Sequence, residues 1–333
     1  MEKQIIEETT VSWNLDQTTI EGTLALPKGN GGAVPGIVLV AGSGPTDRNW
    51  NSPLISGTNG SGKLIAQELA GWGFATLRYD KRASGPHAAE NMKVLAGKIS
   101  MQSHLDEVSS AIDLLRARPE VDGKKVFILG NSEGCIHAMN YQVQSASPCL
   151  GIVLSAPPAQ PVGKVAHNQM VAQMKQLPNG QELLQAYDQA MDKFVAGQSV
   201  EVDPNLPEFL RMPITAITAP FNQPFAHELW VLDPAAQLEK ITAPVLIVIG
   251  KKDIQVDWQI EGPLFEKIAA QHKNISIAFP PDANHVMKLE KRPFDQLTAA
   301  NIEGTYSGED SHLDPEALQI IESWLDEQVE GLS

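Results

Sequence analysis

The fold is predicted first from one stretch of the sequence, Lys124-Lys-Val-Phe-Ile-Leu-Gly130-Asn-Ser132-Glu-Gly134-Cys135. Its apolar run, residues 126–129, is typical of a short strand buried on both faces. Two glycines flank Ser132 in the pattern Gly-x-Ser-x-Gly, and residues 136–141 are predicted to be helical. A serine on a tight strand-to-helix turn presents its hydroxyl at the sheet edge, beside the positive end of a helix. The pattern therefore predicts a nucleophile elbow, with an ordinary Gly/Ser turn as the alternative.

Strands and helices alternate on both sides of this stretch. Apolar runs predict strands at 35–40, 150–154 and 245–250, and strands are also predicted at 74–79 and 275–279. Amphipathic segments predict helices at 64–71, 103–118, 263–272 and 315–329. Alternating polar and apolar residues predict an antiparallel hairpin from residues 2–13 and 18–26. The expected fold is α/β, a mostly parallel central sheet flanked by helices, with an N-terminal antiparallel hairpin.

Residues 162–233 interrupt this alternation. Helices are predicted at 166–176 and 181–195, followed by a run that contains five prolines, and no buried strand is predicted there. The α/β pattern resumes beyond residue 233, which indicates an insertion rather than a separate fold. We therefore expect a core domain of residues 1–161 and 234–333, with residues 162–233 as a helical lid.

The composition excludes several classes of function. The 333 residues contain 25 Lys and Arg against 40 Asp and Glu, a net charge of −15, so a nucleic-acid partner is not expected. The two cysteines, Cys135 and Cys149, form neither a disulfide framework nor a metal-ligand pair, and no cofactor or metal is predicted. Neither an apolar signal core nor a membrane-spanning run is present, which predicts a cytoplasmic protein. The oligomeric state stays open, with a homodimer among the alternatives.

A serine nucleophile needs an imidazole base and a carboxylate to orient it. Asp253 closely follows the predicted strand 245–250, and His285 follows the strand 275–279. The order Ser, Asp, His is the one that a nucleophile elbow of this kind requires. We therefore predict Ser132, Asp253 and His285 as the catalytic residues.

Other acids and histidines fit these roles less well. Asp257 lies near enough to replace Asp253, but its position favours a helix N-cap or a surface charge. Asp282 is interpreted as a turn residue. Among eight histidines, His137, His104 and His272 are expected on helices, and only His285 has the placement of a base.

The developing oxyanion needs two backbone N–H donors. We predict Glu133, the residue after the nucleophile, as one, and assign its side chain no catalytic role. The second is expected in the loop after strand 35–40, with Ser43 preferred and Gly44 next. Met170, Phe221 and Trp230 of the insertion are predicted to line an apolar acyl pocket, with packing of the lid as the alternative for each.

With these residues identified, the chain resembles the α/β-hydrolase superfamily over nearly its whole length. The resemblance rests on Ala41-Gly-Ser-Gly-Pro-Thr-Asp-Arg48, Arg78-Tyr-Asp-Lys-Arg82, Gly130-Asn-Ser-Glu-Gly134, Gly250-Lys-Lys-Asp253 and Ala283-Asn-His285. Within the superfamily the chain is most similar to bacterial carboxylesterases with a Gly-x-Ser-Glu-Gly elbow. It departs from the usual pattern at Ala41 and Asn131, where His is common, and at Cys135, where Gly or Ala is common.

The resemblance implies an α/β-hydrolase fold, the triad named above, a lid over the site and hydrolysis of carboxylic esters through an acyl-enzyme. We expect a small-molecule ester with a short or medium acyl chain. A serine peptidase or amidase, or a dienelactone-hydrolase-like enzyme, is the alternative on the same triad. A catalytically silent binding protein is an alternative of another class. The residues 57–63 resemble a P-loop, but Leu64 replaces the Ser or Thr that would hold magnesium and no buried strand is predicted before them, so nucleotide binding is not expected.

Overall fold

A computed structural model describes residues 3–29, 31–53, 57–175, 177–298, 301–308 and 310–331. In these ranges one sheet is formed by the strands β1 Ile6–Leu15, β2 Thr18–Pro27, β3 Val34–Val40, β4 Ala75–Tyr79, β5 Val121–Asn131, β6 Gly151–Ser155, β7 Val245–Val248 and β8 Ile275–Ala278. Their order in the sheet is β1-β2-β4-β3-β5-β6-β7-β8.

The sheet is parallel from β4 to β8, and β2 pairs antiparallel with both β1 and β4. Asp16 and Gln17 connect β1 to β2. The predicted mostly parallel sheet with an N-terminal antiparallel hairpin is therefore confirmed. The predicted hairpin began at Glu2, which lies outside the described residues.

The helices of the described ranges are α1 Ser61–Gly71, α2 Ala88–Leu95, α3 Met101–Arg116, α4 Glu133–Gln144, α5 Val162–Met174, α6 Gly180–Val195, α7 Glu208–Thr218, α8 Phe225–Val231, α9 Pro234–Leu238, α10 Trp258–Ala269, α11 Glu303–Ser307 and α12 Pro315–Glu330. Short 3-10 turns occur at Pro220–Asn222 and Phe294–Gln296. The helices α2, α7, α8, α9 and α11 were not predicted.

Helices cover both faces of the sheet because successive strand residues point to opposite sides. Val38 and Ile128 belong to one core cluster, which includes the apolar sides of α3 and α4. Their neighbours Ile37 and Phe127 belong to a second cluster, with α1 and α12. Both faces of each central strand are thus buried, which explains the unbroken apolar runs in the sequence.

Helices α5 to α8 follow β6 and share a smaller hydrophobic cluster that includes Leu210 and Ile214. The helix α7 lies in the proline-rich run of the sequence. It contains Pro213, which cannot donate a backbone hydrogen bond. Burial of Leu210 and Ile214 on either side of this proline stabilises the helix in spite of it. The division into a core and a lid at residues 162 and 233 stays a prediction.

The helix predicted at 263–272 has different limits in the structure. It begins at Trp258, because the Asp257 side chain accepts a hydrogen bond from the Gln259 N–H and caps it. Pro263 lies inside the helix rather than at its start. The helix ends at Ala269, so His272 lies beyond it and not on a helix as predicted.

Candidate active site

Ser132 occupies a sharp turn between β5 and α4. Its backbone has φ 56° and ψ −121°, a conformation that residues other than glycine rarely adopt. The two flanking glycines permit the turn: a Cβ on Gly130 would lie 2.5 Å from the Gly134 carbonyl oxygen, and one on Gly134 would overlap the Val40 carbonyl. The close approach of strand and helix therefore excludes any side chain at these two positions.

His285 and Asp253 form a buried pair at the same edge of the sheet. The His285 Nδ1 lies 2.8 Å from the Asp253 Oδ2, and the Asp253 side chain is fully buried. The second Asp253 oxygen accepts the backbone N–H groups of Gln255 at 2.8 Å and Val256 at 2.9 Å. These two bonds fix the carboxylate, which in turn orients the imidazole.

The loop that carries His285 is shaped by Asn284. Its fully buried side chain accepts the backbone N–H groups of Val286 and Lys288. The Asn131 amide, next to the nucleophile, donates to the His285 carbonyl oxygen at 3.0 Å. Asn131, a departure from the His common at this position, thus ties the elbow to the histidine loop.

A cavity of about 180 Å³ brings the predicted residues together. Ser132, His285, Ser43 and Glu133 all line it, and Asp253 stands behind the imidazole. The remaining lining residues are Pro158, Val162, Val165, Ala166, Gln169, Gln255 and Val256. Four of these lie on α5 at positions 162, 165, 166 and 169, the spacing of a single helix face.

The three predicted pocket residues lie elsewhere. Phe221 is 56% exposed, on the 3-10 turn before α8. Trp230 and Met170 pack in the hydrophobic cluster of α5–α8, and Trp230 also borders a separate cleft of about 440 Å³. None of the three is among the described residues that line the Ser132 cavity. Small and apolar residues at helical spacing follow β6 in the sequence. This signal could have identified α5, rather than these three residues, as a wall of the cavity.

The two rival acids and the rival histidine His137 have structural partners of their own. Asp257 caps α10, as the preferred interpretation predicted. Asp282 accepts a hydrogen bond from the Lys291 ammonium at 2.6 Å. His137 is buried on α4, where its Nε2 lies 3.2 Å from Glu133 Oε1 and its ring stacks on His104.

A buried charge network beneath the cavity was not anticipated from the sequence. The Glu133 carboxylate, 6% exposed, lies 2.9 Å from the Lys81 ammonium. Burial alone would raise the pKa of the Glu133 carboxyl, but the Lys81 charge and the His137 hydrogen bond bring that pKa well below its usual range. Burial lowers the pKa of His137 to about 4, so its imidazole is neutral at neutral pH. Glu133 is therefore an anion that is paired with the Lys81 cation and accepts a hydrogen bond from neutral His137.

The described ranges offer neither a metal site nor a membrane-spanning helix. These residues contain no group of three or more His, Cys, Asp or Glu side chains that could hold a metal ion. None of their helices is both long and apolar enough to cross a membrane. The cytoplasmic location and the homodimer stay predictions.

The sequence matches a known protein family and a known esterase. Residues 37–300 match the sequence model of an alpha/beta hydrolase family. The esterase EstD of Thermotoga maritima is 27% identical over 270 residues, which cover 80% of this chain but 58% of that relative.

Two solved structures share the fold at low sequence identity. Est1E from Butyrivibrio proteoclasticus, with ferulic acid bound, is 14% identical, with a TM-score of 0.57 over 96% of this chain and 99% of its own. A proline iminopeptidase from Mycobacterium smegmatis is also 14% identical, with a TM-score of 0.57 over 98% of this chain and all of its own. At this level of identity the likeness concerns the fold alone.

Proposed function

Because the chain belongs to the alpha/beta hydrolase family, we propose that it is a serine hydrolase that cleaves carboxylic esters through Ser132, His285 and Asp253. One observation carries the proposal: the strained elbow serine and the His285–Asp253 pair meet at a single cavity. The relative EstD is an esterase, which favours an ester as the substrate.

The mechanism follows from the hydrogen bonds of the pair. Asp253 accepts from His285, so the imidazole carries its proton on Nδ1 and leaves Nε2 free as a base. In the proposed reaction Nε2 takes the Ser132 proton as the hydroxyl attacks the ester carbonyl. The imidazolium then protonates the leaving alcohol, and water activated by His285 releases the acid from the acyl-enzyme.

The oxyanion of the tetrahedral intermediate would be held by the backbone N–H groups of Ser43 and Glu133. Both residues line the cavity beside Ser132. Glu133 is also the first residue of α4, where the N–H groups of the helix are not used by helical hydrogen bonds. Such donors strengthen their bonds as charge develops on the oxygen, which lowers the barrier.

The substrate is expected to be small and uncharged around its acyl group. The cavity of about 180 Å³ is well below the roughly 300–1,000 Å³ of sites for drug-sized ligands. Its α5 wall presents Val162, Val165 and Ala166, with no Lys or Arg among the described lining residues. These features favour short acyl chains within the short-to-medium range expected from sequence.

A fluorophosphonate probe tests the nucleophile. We expect intact mass and peptide mapping to place one label on Ser132, and Ser132→Ala to abolish both the label and hydrolysis of p-nitrophenyl acetate and butyrate. Ser147→Ala, at an exposed serine beyond α4, is the control that keeps the label. Labelling of Ser132→Ala at the wild-type rate would overturn the assignment. Faster turnover of aminoacyl anilides than of esters would instead favour the peptidase or amidase alternative.

A further inference from the structure

Lys81 joins the two segments that border the proposed oxyanion site. It follows β4 at the carboxyl edge of the sheet, and its residue is only 5% exposed. Its ammonium donates to the Gly42 carbonyl oxygen at 2.5 Å and to the Glu133 Oε1 at 2.9 Å. Gly42 lies in the loop after β3, and Glu133 is the first residue of α4. One buried cation therefore contacts both segments.

The Gly42 carbonyl and the Ser43 N–H belong to the same peptide group. This peptide is not among the cis bonds of the described residues, so it is trans, and its C=O and N–H point in opposite directions. A cation held on the carbonyl therefore determines the direction of the Ser43 N–H. A charge-assisted hydrogen bond to the carbonyl also polarises the peptide and strengthens its N–H as a donor.

Glu133 fixes the position of that cation. Its carboxylate is buried, ionised and further held by the His137 hydrogen bond, so the Lys81 ammonium has a rigid counter-charge. The backbone N–H of the same residue is the other proposed oxyanion donor. Any displacement of the Lys81–Glu133 pair would consequently shift the two donors relative to each other.

We propose that Lys81 is a positioning residue whose ion pair with Glu133 aims the Ser43 N–H at the oxyanion, an inference that rests on the proposed function. The donors meet full negative charge only in the transition state. Loss of the ion pair should therefore lower kcat and leave KM nearly unchanged. A purely structural role would instead lower stability with no selective loss of kcat.

Neighbouring Arg82 provides a matched comparison. Its side chain is equally buried and its Nε donates to Glu107 at 2.8 Å, but its described hydrogen bonds go to Glu107, Thr18 and Ser103 rather than to the oxyanion loop. Removal of a whole oxyanion donor costs about 10²–10³-fold in kcat, so misdirection of one donor should cost about 10–100-fold.

The experiment compares Lys81→Met with Arg82→Met by steady-state hydrolysis of p-nitrophenyl butyrate, by denaturant unfolding, and by affinity for an alkyl boronic acid that forms a tetrahedral serine adduct. We expect both variants to lose stability. Only Lys81→Met should lose about 10–100-fold in kcat and in boronate affinity, with KM within about threefold of the wild-type value. Equal kcat in the two variants would overturn the proposal.

A second pair of variants tests the proposal if Lys81→Met does not fold. Glu133→Gln keeps the size of the side chain but removes the charge that anchors Lys81, and Glu107→Gln is its control in the Arg82 pair. The same selective loss of kcat is expected for Glu133→Gln, and its absence in a folded protein would count against the ion pair. A wild-type protein without esterase activity or a Ser132 label would refute the proposed function itself, which separates the two failures.

Discussion

Replacing Asp253 by asparagine should invert the proton arrangement of the proposed triad. Asp253 Oδ1 accepts two backbone N–H groups, from Gln255 and Val256, whereas Oδ2 faces His285 Nδ1. In Asp253→Asn the amide oxygen must stay on the two N–H donors, because an NH₂ group there would face donors only. The NH₂ group then points at Nδ1, which has to accept its hydrogen bond. The imidazole proton moves to Nε2, the nitrogen that should receive the serine proton.

The expected loss is large although each hydrogen bond keeps a partner. In the serine-protease triad, the same change of tautomer lowers kcat about 10⁴-fold. At about 1.36 kcal/mol for each factor of ten, this corresponds to a barrier raised by about 5 kcal/mol. Because the amide has nearly the shape of the carboxylate and keeps all three contacts of Asp253, the fold should be retained.

The assay measures kcat for p-nitrophenyl butyrate and the rate of fluorophosphonate labelling, with nitrogen-15 NMR of the imidazole to identify the protonated nitrogen. Asp257→Asn is the matched control. Asparagine caps a helix as well as aspartate does, and among the described residues the Asp257 side chain accepts a hydrogen bond from the Gln259 N–H alone. We therefore expect kcat to stay within about twofold of the wild-type value. If Asp253→Asn keeps more than a tenth of the wild-type kcat, or if Asp257→Asn loses as much, the assignment of the acid is wrong.

Two further predictions concern acid stability and substrate size. Burial alone would raise the pKa of Glu107, but His104 and Arg82 lower it from 4.5 to about 2, so its folded-state pKa lies below the unfolded value. The carboxylate therefore stabilises the fold above pH 4.5 and loses about 3 kcal/mol of that contribution as the pH falls towards 2. Urea unfolding at pH 6 and pH 3 measures how much the free energy of unfolding falls with pH. This fall should be smaller for Glu107→Gln than for the wild type, and equal falls would contradict this reasoning. On α5, Ala166→Leu fills part of the cavity and should lower kcat/KM for butyrate relative to acetate by about tenfold or more, whereas Ala172→Leu, exposed on the same helix, should leave the ratio unchanged.

The sheet was predictable because its determinants are local. The central strands are buried on both faces, so the runs 126–129, 150–154 and 245–250 contain only apolar residues. The residues Ser132, Asp253 and His285 could be selected from sequence for a related reason. Each follows a parallel strand, and the carboxyl ends of parallel strands meet along one edge of the sheet.

Errors arose where long-range packing outweighed local preference. No helix was predicted around Pro213, and Pro263 was predicted as the first residue of a helix, yet both lie inside helices. Asp257 caps one of these helices, and each has a buried apolar side. The large apolar side chains Phe221 and Trp230 suggested a pocket, although one is exposed and the other packs within the α5–α8 cluster.

The strands, the strained serine turn and the three side chains proposed for chemistry can be predicted from the sequence alone, since hydrophobic period and glycine spacing are properties of neighbouring residues. The helix face that closes the cavity and the bridge that Lys81 forms between Gly42 and Glu133 depend on tertiary packing. These contacts join residues 39 and 52 positions apart. Their strength depends on exclusion of water from the space between three segments, which no single segment specifies.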